Sequence, residues 1–428
     1  MLIASLLDPL IGMKARAILF SALAIGLVFT PFLAAALVSL PALPGHAPKL
    51  VIYLAKGEAN SCGQGCDRWI AIEGAVDAGA ALRVRQFLRG VKDTQRPIYF
   101  HSPGGELRQA LAIGRLLRAR KATGRVGRTV VSACAAGSQV DDACLKVKTG
   151  GGEVQADLVT RGSICNSACG YLFLGATTRE VAPDAALGVH SSKLIVEFRG
   201  HPSARQRAEV MASRRDRADR EIASFVEAMG ISHELVDLVH TVKFENLHVL
   251  TRPELYRFRI DTRSFAETEW TLQIGSPAFI RKLAVAKKED GVWFRTMEWR
   301  LFCQNKDHAR LMFLWQFENG PVGRSSVALV AGSETPPNFE RFPAQVGAYE
   351  IWNAVIAPDA VKSLFALPRL QVGESTVMPD GKTTEVLFEI ETRGLETAWT
   401  QLSTTCAIPP NSAKRTIDVP GTSNAPAL

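Results

Sequence analysis

The chain has 428 residues, more than a single hydrophobic core usually serves, so two domains are the expected arrangement. A hydrophobic content of 47% with 21% charged residues describes an ordinary globular protein. The net charge of +8 is modest and spread out, and its densest basic run, RRDRADR from Arg214 to Arg220, is interleaved with acids and lacks aromatics, which reads as a solvated helix face and excludes nucleic acid as the partner.

In chain order the first signal concerns location. No residue from Ala17 to Gly45 is charged, and Lys14 and Arg16 stand immediately before the run. This is the layout of an export signal or a membrane anchor with its positive end inside. Ala17–Leu40 is long enough to span a bilayer at about 20 residues. Ala34-Ala35-Ala36 offers small residues of the cleavage type, and Met13 opens a second signal-like start. Residues 1–48 are therefore read as a signal peptide or an N-terminal anchor. Either places the protein outside the cytoplasm, in the periplasm or on the inner membrane facing it.

Next come the elements of an α/β region over residues 49–263. KLVIYLAKG (Lys49–Gly57) and WIAIEGAVD (Trp69–Asp77) read as strands. Ala81–Val91 carries helical spacing at Leu82, Val84, Phe87, Leu88 and Val91. Pro97–Arg120 runs strand, tight Gly-Gly turn, helix. Another strand starts at Gly127, and after a Gly-rich excursion at Gly150–Gly152 comes SICNSACGYLFLGA, Ser163 to Ala176. A short strand follows and ends near His190, and Pro202–Met229 reads as one helix. Strands alternating with helices imply layered α/β architecture. From Ser264 the runs turn β-branched and aromatic between Gly, Pro, Asn and Asp, from WTLQI to WTQLSTTCAI. Residues 264–408 are thus expected to form a mostly antiparallel, β-sandwich-like domain. Residues 409–428, rich in Pro, Ser and Asn, read as a disordered tail.

Eight cysteines fit an exported chain, in which an even count implies a disulfide framework. Cys62 and Cys66, with two glycines between them, are expected to close a small loop. Cys303 and Cys406 are expected to tie early and late strands of the β domain. That loop of about a hundred residues is worth roughly 4–5 kcal/mol in a chain-entropy estimate. Cys134, Cys144, Cys165 and Cys169 admit three pairings. Cys165, Cys169 and His190 can be drawn as zinc ligands, but the tight C-x2-C pairs of structural zinc sites are absent, so no metal and no cofactor is expected.

Two stretches carry chemistry. In HSPGGE, His101 to Glu106, adjacent glycines between strand and helix let backbone approach a ligand with N–H groups exposed. In the second, Ser167 stands where an apolar helix begins. It is either a plain N-cap or a nucleophile beside backbone donors. His190, at a strand end, supplies a base.

IYFHSPGGELRQALAIGRLLR resembles the oxyanion-loop segment of the Clp protease proteolytic subunit, within the wider crotonase-like fold. CNSACGYLFLGATTREVAPDAALGVHSS resembles that family's nucleophile helix and the strand bearing its catalytic histidine, and VLTRPELYRFRIDT resembles its late helix and closing strand. The resemblance runs from Trp69 to Thr262 and does not touch the N-terminal segment or the β domain. It implies a crotonase-like domain of repeated ββα units. It also implies Ser167 as nucleophile, His190 as general base, and backbone N–H groups of Gly105 and Ala168 as an oxyanion hole, with Gly104 shaping the turn. Where the family places its aspartate this chain reads Phe244-Glu245-Asn246-Leu247, so either Glu245 or Asn246 takes the third role or the site is a Ser-His dyad. The stretch matching the family's assembly handle, Leu194 to Gly230, is rich in charge and has no apolar zipper.

Together these imply an exported, ATP-independent serine peptidase acting on extended or small peptides. A homo-oligomer is compatible, and membrane contact would come through the N-terminal segment if it is uncleaved. The competing reading is a crotonase-fold binding or scaffold protein without activity. An acyl-CoA enzyme on the same fold is disfavoured because CoA thioesters are cytoplasmic.

Overall fold

The computed structural model describes residues 47–198, 200–288, 294–305, 307–316, 324–330, 339–340, 344–347, 349–377 and 381–406. The expected signal or anchor, apart from its last two residues, and the expected tail lie outside them.

The first half is built from short strands that bury both faces. β1 (Val51–Lys56) and β2 (Arg68–Glu73) pair antiparallel. Successive side chains of a strand face opposite ways. Ile70 and Ile72 of β2 therefore enter the main core, while Trp69 and Ala71 enter a smaller one with Tyr53 and Tyr99. α1 (Ala80–Gly90) buries Ala80, Val84 and Leu88, a four-residue spacing that makes one helical stripe. β3 (Ile98–His101) lies parallel to β2, and α2 (Leu107–Ala119) leads to β4 (Thr123–Val126), parallel to β3.

β5 (Arg128–Val131) is followed by two elements in the stretch that the sequence presents only as a Gly-rich excursion, α3 (Asp142–Thr149) and β6 (Glu153–Val159). β6 inserts between β5 and β1, parallel to β1. β7 (Ile164–Asn166), α4 (Ala168–Leu174), β8 (Thr178–Glu180) and β9 (Ala186–Val189) come next. α5 (Ala204–Ala228), α6 (Glu234–Thr241), β10 (His248–Val249) and α7 (Arg252–Arg257) close the region. A seven-stranded, parallel-rich sheet runs β5-β6-β1-β2-β3-β4-β8, and a three-stranded sheet runs β10-β9-β7.

The second region is antiparallel. β11 (Phe265–Glu267), β12 (Thr271–Gln273), β13 (Phe279–Lys287), β14 (Phe294–Asn305) and β15 (His308–Gln316) belong to a sheet completed by β18 (Ala344–Val346) and β19 (Tyr349–Ile356). β16 (Arg324–Val330), β17 (Phe339–Glu340), β20 (Arg369–Val377) and β21 (Thr383–Glu391) form a four-stranded sheet. Its Leu370 and Ile390 join one core with Trp299, Phe313 and Trp352. Between β19 and β20 in the chain comes α8 (Pro358–Ser363). The stretch before Cys406, expected as strand, is instead α9 (Leu395–Thr404). Its buried Leu395, Ala398, Trp399 and Leu402 recur every three or four residues, a period that a strand cannot bury on one face. The protein is thus mixed α/β, with a parallel-rich sheet and an antiparallel sheet region.

Four disulfides are formed: Cys62–Cys66, Cys134–Cys144, Cys165–Cys169 and Cys303–Cys406. Their number fits an exported protein, since such bonds persist outside the reducing cytoplasm. Among the described residues no helix is long and apolar enough to cross a membrane.

Two contacts fix the frame around α4. Gly175, just after α4, has an ordinary helical φ of −65°, so space alone demands the glycine. A Cβ there would lie 2.2 Å from the carbonyl oxygen of Gly114 in α2. Gly175→Ala is therefore expected to cost about 1–3 kcal/mol of stability by overpacking. An unchanged denaturation midpoint would contradict this contact.

The second contact is Asp261, fully buried, which accepts from Arg252 at 2.7 Å, Arg263 at 2.6 Å and the Val181 N–H at 2.9 Å. Burial pushes this carboxyl up, but hydrogen bonds from Arg263 and Arg252 outweigh it and hold it at about 2. A carboxyl held below its unfolded value stabilises the fold above that value, and the gain disappears as pH falls through the folded one. Stability is expected to drop by about 2 kcal/mol between about pH 4 and pH 2. Denaturation midpoints across that range should show a shallower acid slope in Asp261→Asn; equal slopes would remove Asp261 from this role.

Candidate active site

Ser167 occupies the corner between β7 and α4. Its φ of 56° and ψ of −124° are rare for a residue with a side chain, a local cost of order 1–3 kcal/mol. The corner is held from both sides. The Ser167 N–H donates to the carbonyl of Gly188 at 2.8 Å, and the Cys165–Cys169 disulfide brackets the turn. Every residue of α4 is buried, so the helix behind the serine has no freedom to shift. Ser167 is half-buried, and its hydroxyl does not cap α4. Among the described residues that hydroxyl makes no hydrogen bond. The plain N-cap role is therefore not what this side chain performs.

The Gly-Gly turn lies directly against this corner. Beyond β3 the chain pairs with β7, with the Ser102 N–H donating to Ile164 at 2.9 Å and the Asn166 N–H to Ser102 at 3.0 Å. Gly104, at φ 104°, then passes so close that a Cβ on it would lie 2.7 Å from the Ser167 Cβ and 3.0 Å from the Ala168 nitrogen. Val76 grips the turn by donating to Gly104 O at 2.7 Å and accepting from the Glu106 N–H at 2.7 Å. Those bonds use the residues on either side of Gly105, whose own N–H is turned away from Val76. Among the described residues neither the Gly105 N–H nor the Ala168 N–H has a backbone acceptor. Gly105 is exposed, so its donor stands at an open edge beside the serine, while Ala168 is buried just behind it.

His190 follows β9, whose Gly188 is the register partner of Asn166. The histidine and the serine thus leave neighbouring parallel strands at the same end. His190 Nδ1 lies 2.7 Å from Ser191 O. A carbonyl can only accept, so Nδ1 carries a proton, and in the neutral ring the lone pair is then on Nε2. The ring packs edge-on against Phe244 with centroids 5.0 Å apart, and the Ser191 N–H donates to Val242 at 2.9 Å. Among the described residues no hydrogen bond joins His190 to Ser167. Glu245 and Asn246 are exposed, and neither reaches the His190 ring with a hydrogen bond. The imidazole is oriented by a backbone carbonyl instead.

Other groups shape the site without a motif to announce them. His101, at the end of β3, accepts the Ile164 N–H on Nδ1 at 3.2 Å and so welds the turn's strand to the serine's strand. Burial pushes its pKa down, against the charged ring. Behind it Lys148 reaches Glu73 at 2.8 Å, Tyr53 donates to the same carboxylate at 2.7 Å, and the Thr129 N–H donates to its other oxygen at 2.9 Å. The sequence clue to His101 is its place immediately before the glycine turn. Nothing local signals Glu73 and Lys148, which lie far apart in the chain. Cys165 and Cys169 are joined to each other, and among the described residues no group of His, Cys, Asp or Glu is arranged to hold a metal.

No protein-family model matches the sequence, and no curated protein matches it. Among solved structures the chain is similar to a mutant of a membrane-bound stomatin-specific protease. The identity is 12%, over 44% of this chain and 73% of that one, with a TM-score of 0.27. It is also similar to invasion associated protein B from Bartonella henselae, at 13% identity over 33% of this chain and 93% of that one, with a TM-score of 0.24. At those scores the likeness carries no argument about what this chain does.

Proposed function

We propose that this protein is an exported serine hydrolase that cleaves peptides without an ATP-driven partner, on a Clp-like, crotonase-type α/β domain. The observation that carries the reading is the Ser167 corner, a positive-φ serine with an unengaged hydroxyl beside two unpaired backbone N–H groups. Strained backbone conformations of this kind persist where function needs them.

In this reading Ser167 Oγ attacks the scissile carbonyl carbon while His190 Nε2 takes its proton. The developing oxyanion is met by the Gly105 and Ala168 N–H groups. The C–N bond breaks as the imidazolium returns its proton to the leaving amine. Water then attacks the acyl-enzyme with His190 again as base, releasing the acid and restoring the serine. Ser191 O holds the Nδ1 proton, the part that the third residue plays in a triad. Glu245 and Asn246 are then dispensable, and Gly104 serves by letting the backbone approach. Residues 1–48 would deliver the chain to the periplasm or hold it at the membrane.

The unmade Ser167–His190 hydrogen bond is the observation that favours a scaffold, although such bonds often tighten only with substrate bound. Fluorophosphonate labelling separates the two. Wild-type protein is expected to be labelled at Ser167. Ser167→Ala is expected to lose labelling, and His190→Ala to slow it by about 10²-fold or more. Glu245→Gln and Asn246→Ala should label like wild type. Wild-type protein that stays unlabelled supports the scaffold instead, and a large loss in Glu245→Gln would restore a carboxylate to the site.

A further inference from the structure

Along the sequence the net charge reads as spread out, but the fold gathers it on one surface. Residues 80–121, from α1 through α2, hold ten Lys and Arg against two Asp and Glu, an excess equal to the +8 of the whole chain. The two helices lie side by side and parallel. The Ala81 N–H donates to Gln109 Oε1 at 3.0 Å near their starts, and Arg120 donates to Leu88 O at 3.2 Å and Val91 O at 3.0 Å near their ends. Their inner faces enter the main core. Leu82, Arg85 and Arg89 form the exposed stripe of α1, and Arg108, Ala112 and Arg115 the matching outer stripe of α2, each at three- and four-residue spacing. Lys92 and Lys121 stand exposed just beyond the two helix ends.

The carboxylates beside this surface are already taken. Asp77 holds Arg83, Asp93 holds Arg96 at 3.2 Å, and Glu221 of α5 holds Arg115 at 3.5 Å. The rest of α5 next to α2 adds no excess acid, since Arg217 and Arg220 match Asp219 and Glu221. Among the described residues Arg85, Arg89, Lys92, Arg108 and Lys121 make no ion pair, and Glu106 is the one carboxylate of the stretch left without a cation. Like charges gathered on one face repel, and an anionic partner removes that cost.

Three features select a lipid surface among anionic partners. Leu82 is 59% exposed between the arginines, an apolar side chain suited to headgroup depth. The one aromatic of the two helices, Phe87, packs against the core, so no ring is offered to a nucleic-acid base. The chain also enters the fold at the edge of this face, where Arg83 donates to Leu50 O at 3.0 Å, and the sequence just ahead is the uncharged run Ala17 to Gly45.

We propose that the outer face of α1 and α2 docks on a membrane surface, with Arg85, Arg89 and Arg108 on anionic lipid phosphates and Leu82 at their level. None of these residues belongs to the Ser167 corner, and docking does not depend on hydrolysis there.

Flotation of the purified full-length protein with phosphatidylcholine vesicles, with and without phosphatidylglycerol, tests this. Wild-type protein is expected to prefer the anionic vesicles at least about tenfold, and to lose the preference at about 1 M salt, where screening acts beyond roughly 3 Å. Arg85→Gln and Arg89→Gln should each cut the preference about fivefold, the effect of one cation near an anionic bilayer. Lys146→Gln, exposed on α3 across the sheet, should leave it unchanged. The uncharged run, Lys14 and Arg16 are the same in every variant, so the differences report the helix face. All three substitutions are at exposed positions and should keep the wild-type Tm. Equal partition of wild-type protein into the two vesicle types, or a preference that Arg85→Gln and Arg89→Gln lower no more than Lys146→Gln does, would overturn the docking face. Tighter binding to polyglutamate than to anionic vesicles of equal charge would overturn the lipid and assign the face to an acidic protein.

Discussion

The approach of Gly104 to Ser167 is the constraint on which the site depends. Backbone packs against the serine where a Cβ would lie 2.7 Å from its own, so the turn and the corner hold one another in place. Pairing of Ser102 with Cys165 sets that approach, and pairing of β7 with β9 sets His190 relative to both. The burial of α4 and its glycine contact with α2 stop the corner from relaxing. A positive φ at a non-glycine residue survives only under such over-determination. Here the surrounding hydrogen bonds, the Cys165–Cys169 disulfide and the packed helix all supply it.

Much of this is legible in the sequence because it is local. IYFHSPGGELRQALAIGRLLR shows an apolar strand, two glycines and a helical period in direct succession, and the structure has β3, the turn and α2 there. The corner at Ser167 is announced by small residues between two cysteines followed by an apolar run. What the sequence hides is long-range. β6 cannot be foreseen between β5 and β1, because its alternation is broken and its partner strand is distant. α9 carries Trp, Thr and Leu, residues that also suit strands, and only their three-and-four spacing separates the two. The partner of His190 is a main-chain oxygen, which no residue type can advertise. The same holds for Asp261, whose carboxylate is fixed by two arginines and one backbone N–H.

Polar and aromatic contacts both join the two regions of the fold. Arg393 donates to the carbonyl of Asn60 at 3.4 Å, and the Tyr256 and Phe294 rings lie 5.6 Å apart. Within the first region Arg125 of β4 holds Glu180 of β8 and the carbonyl of Cys62, which fastens the disulfide loop to the sheet. Ion pairs of this kind orient surfaces and leave polar space between them.

In the proposed mechanism the Ser167 corner and the Gly-Gly turn together form a site for a developing oxyanion. A crystal structure of the protein after reaction with a fluorophosphonate tests it most directly. A phosphorus bonded to Ser167 Oγ is expected, with one phosphoryl oxygen about 2.7–3.1 Å from both the Gly105 and the Ala168 nitrogens. A phosphoryl oxygen turned to solvent with neither N–H in reach, or an adduct on another side chain, would contradict it.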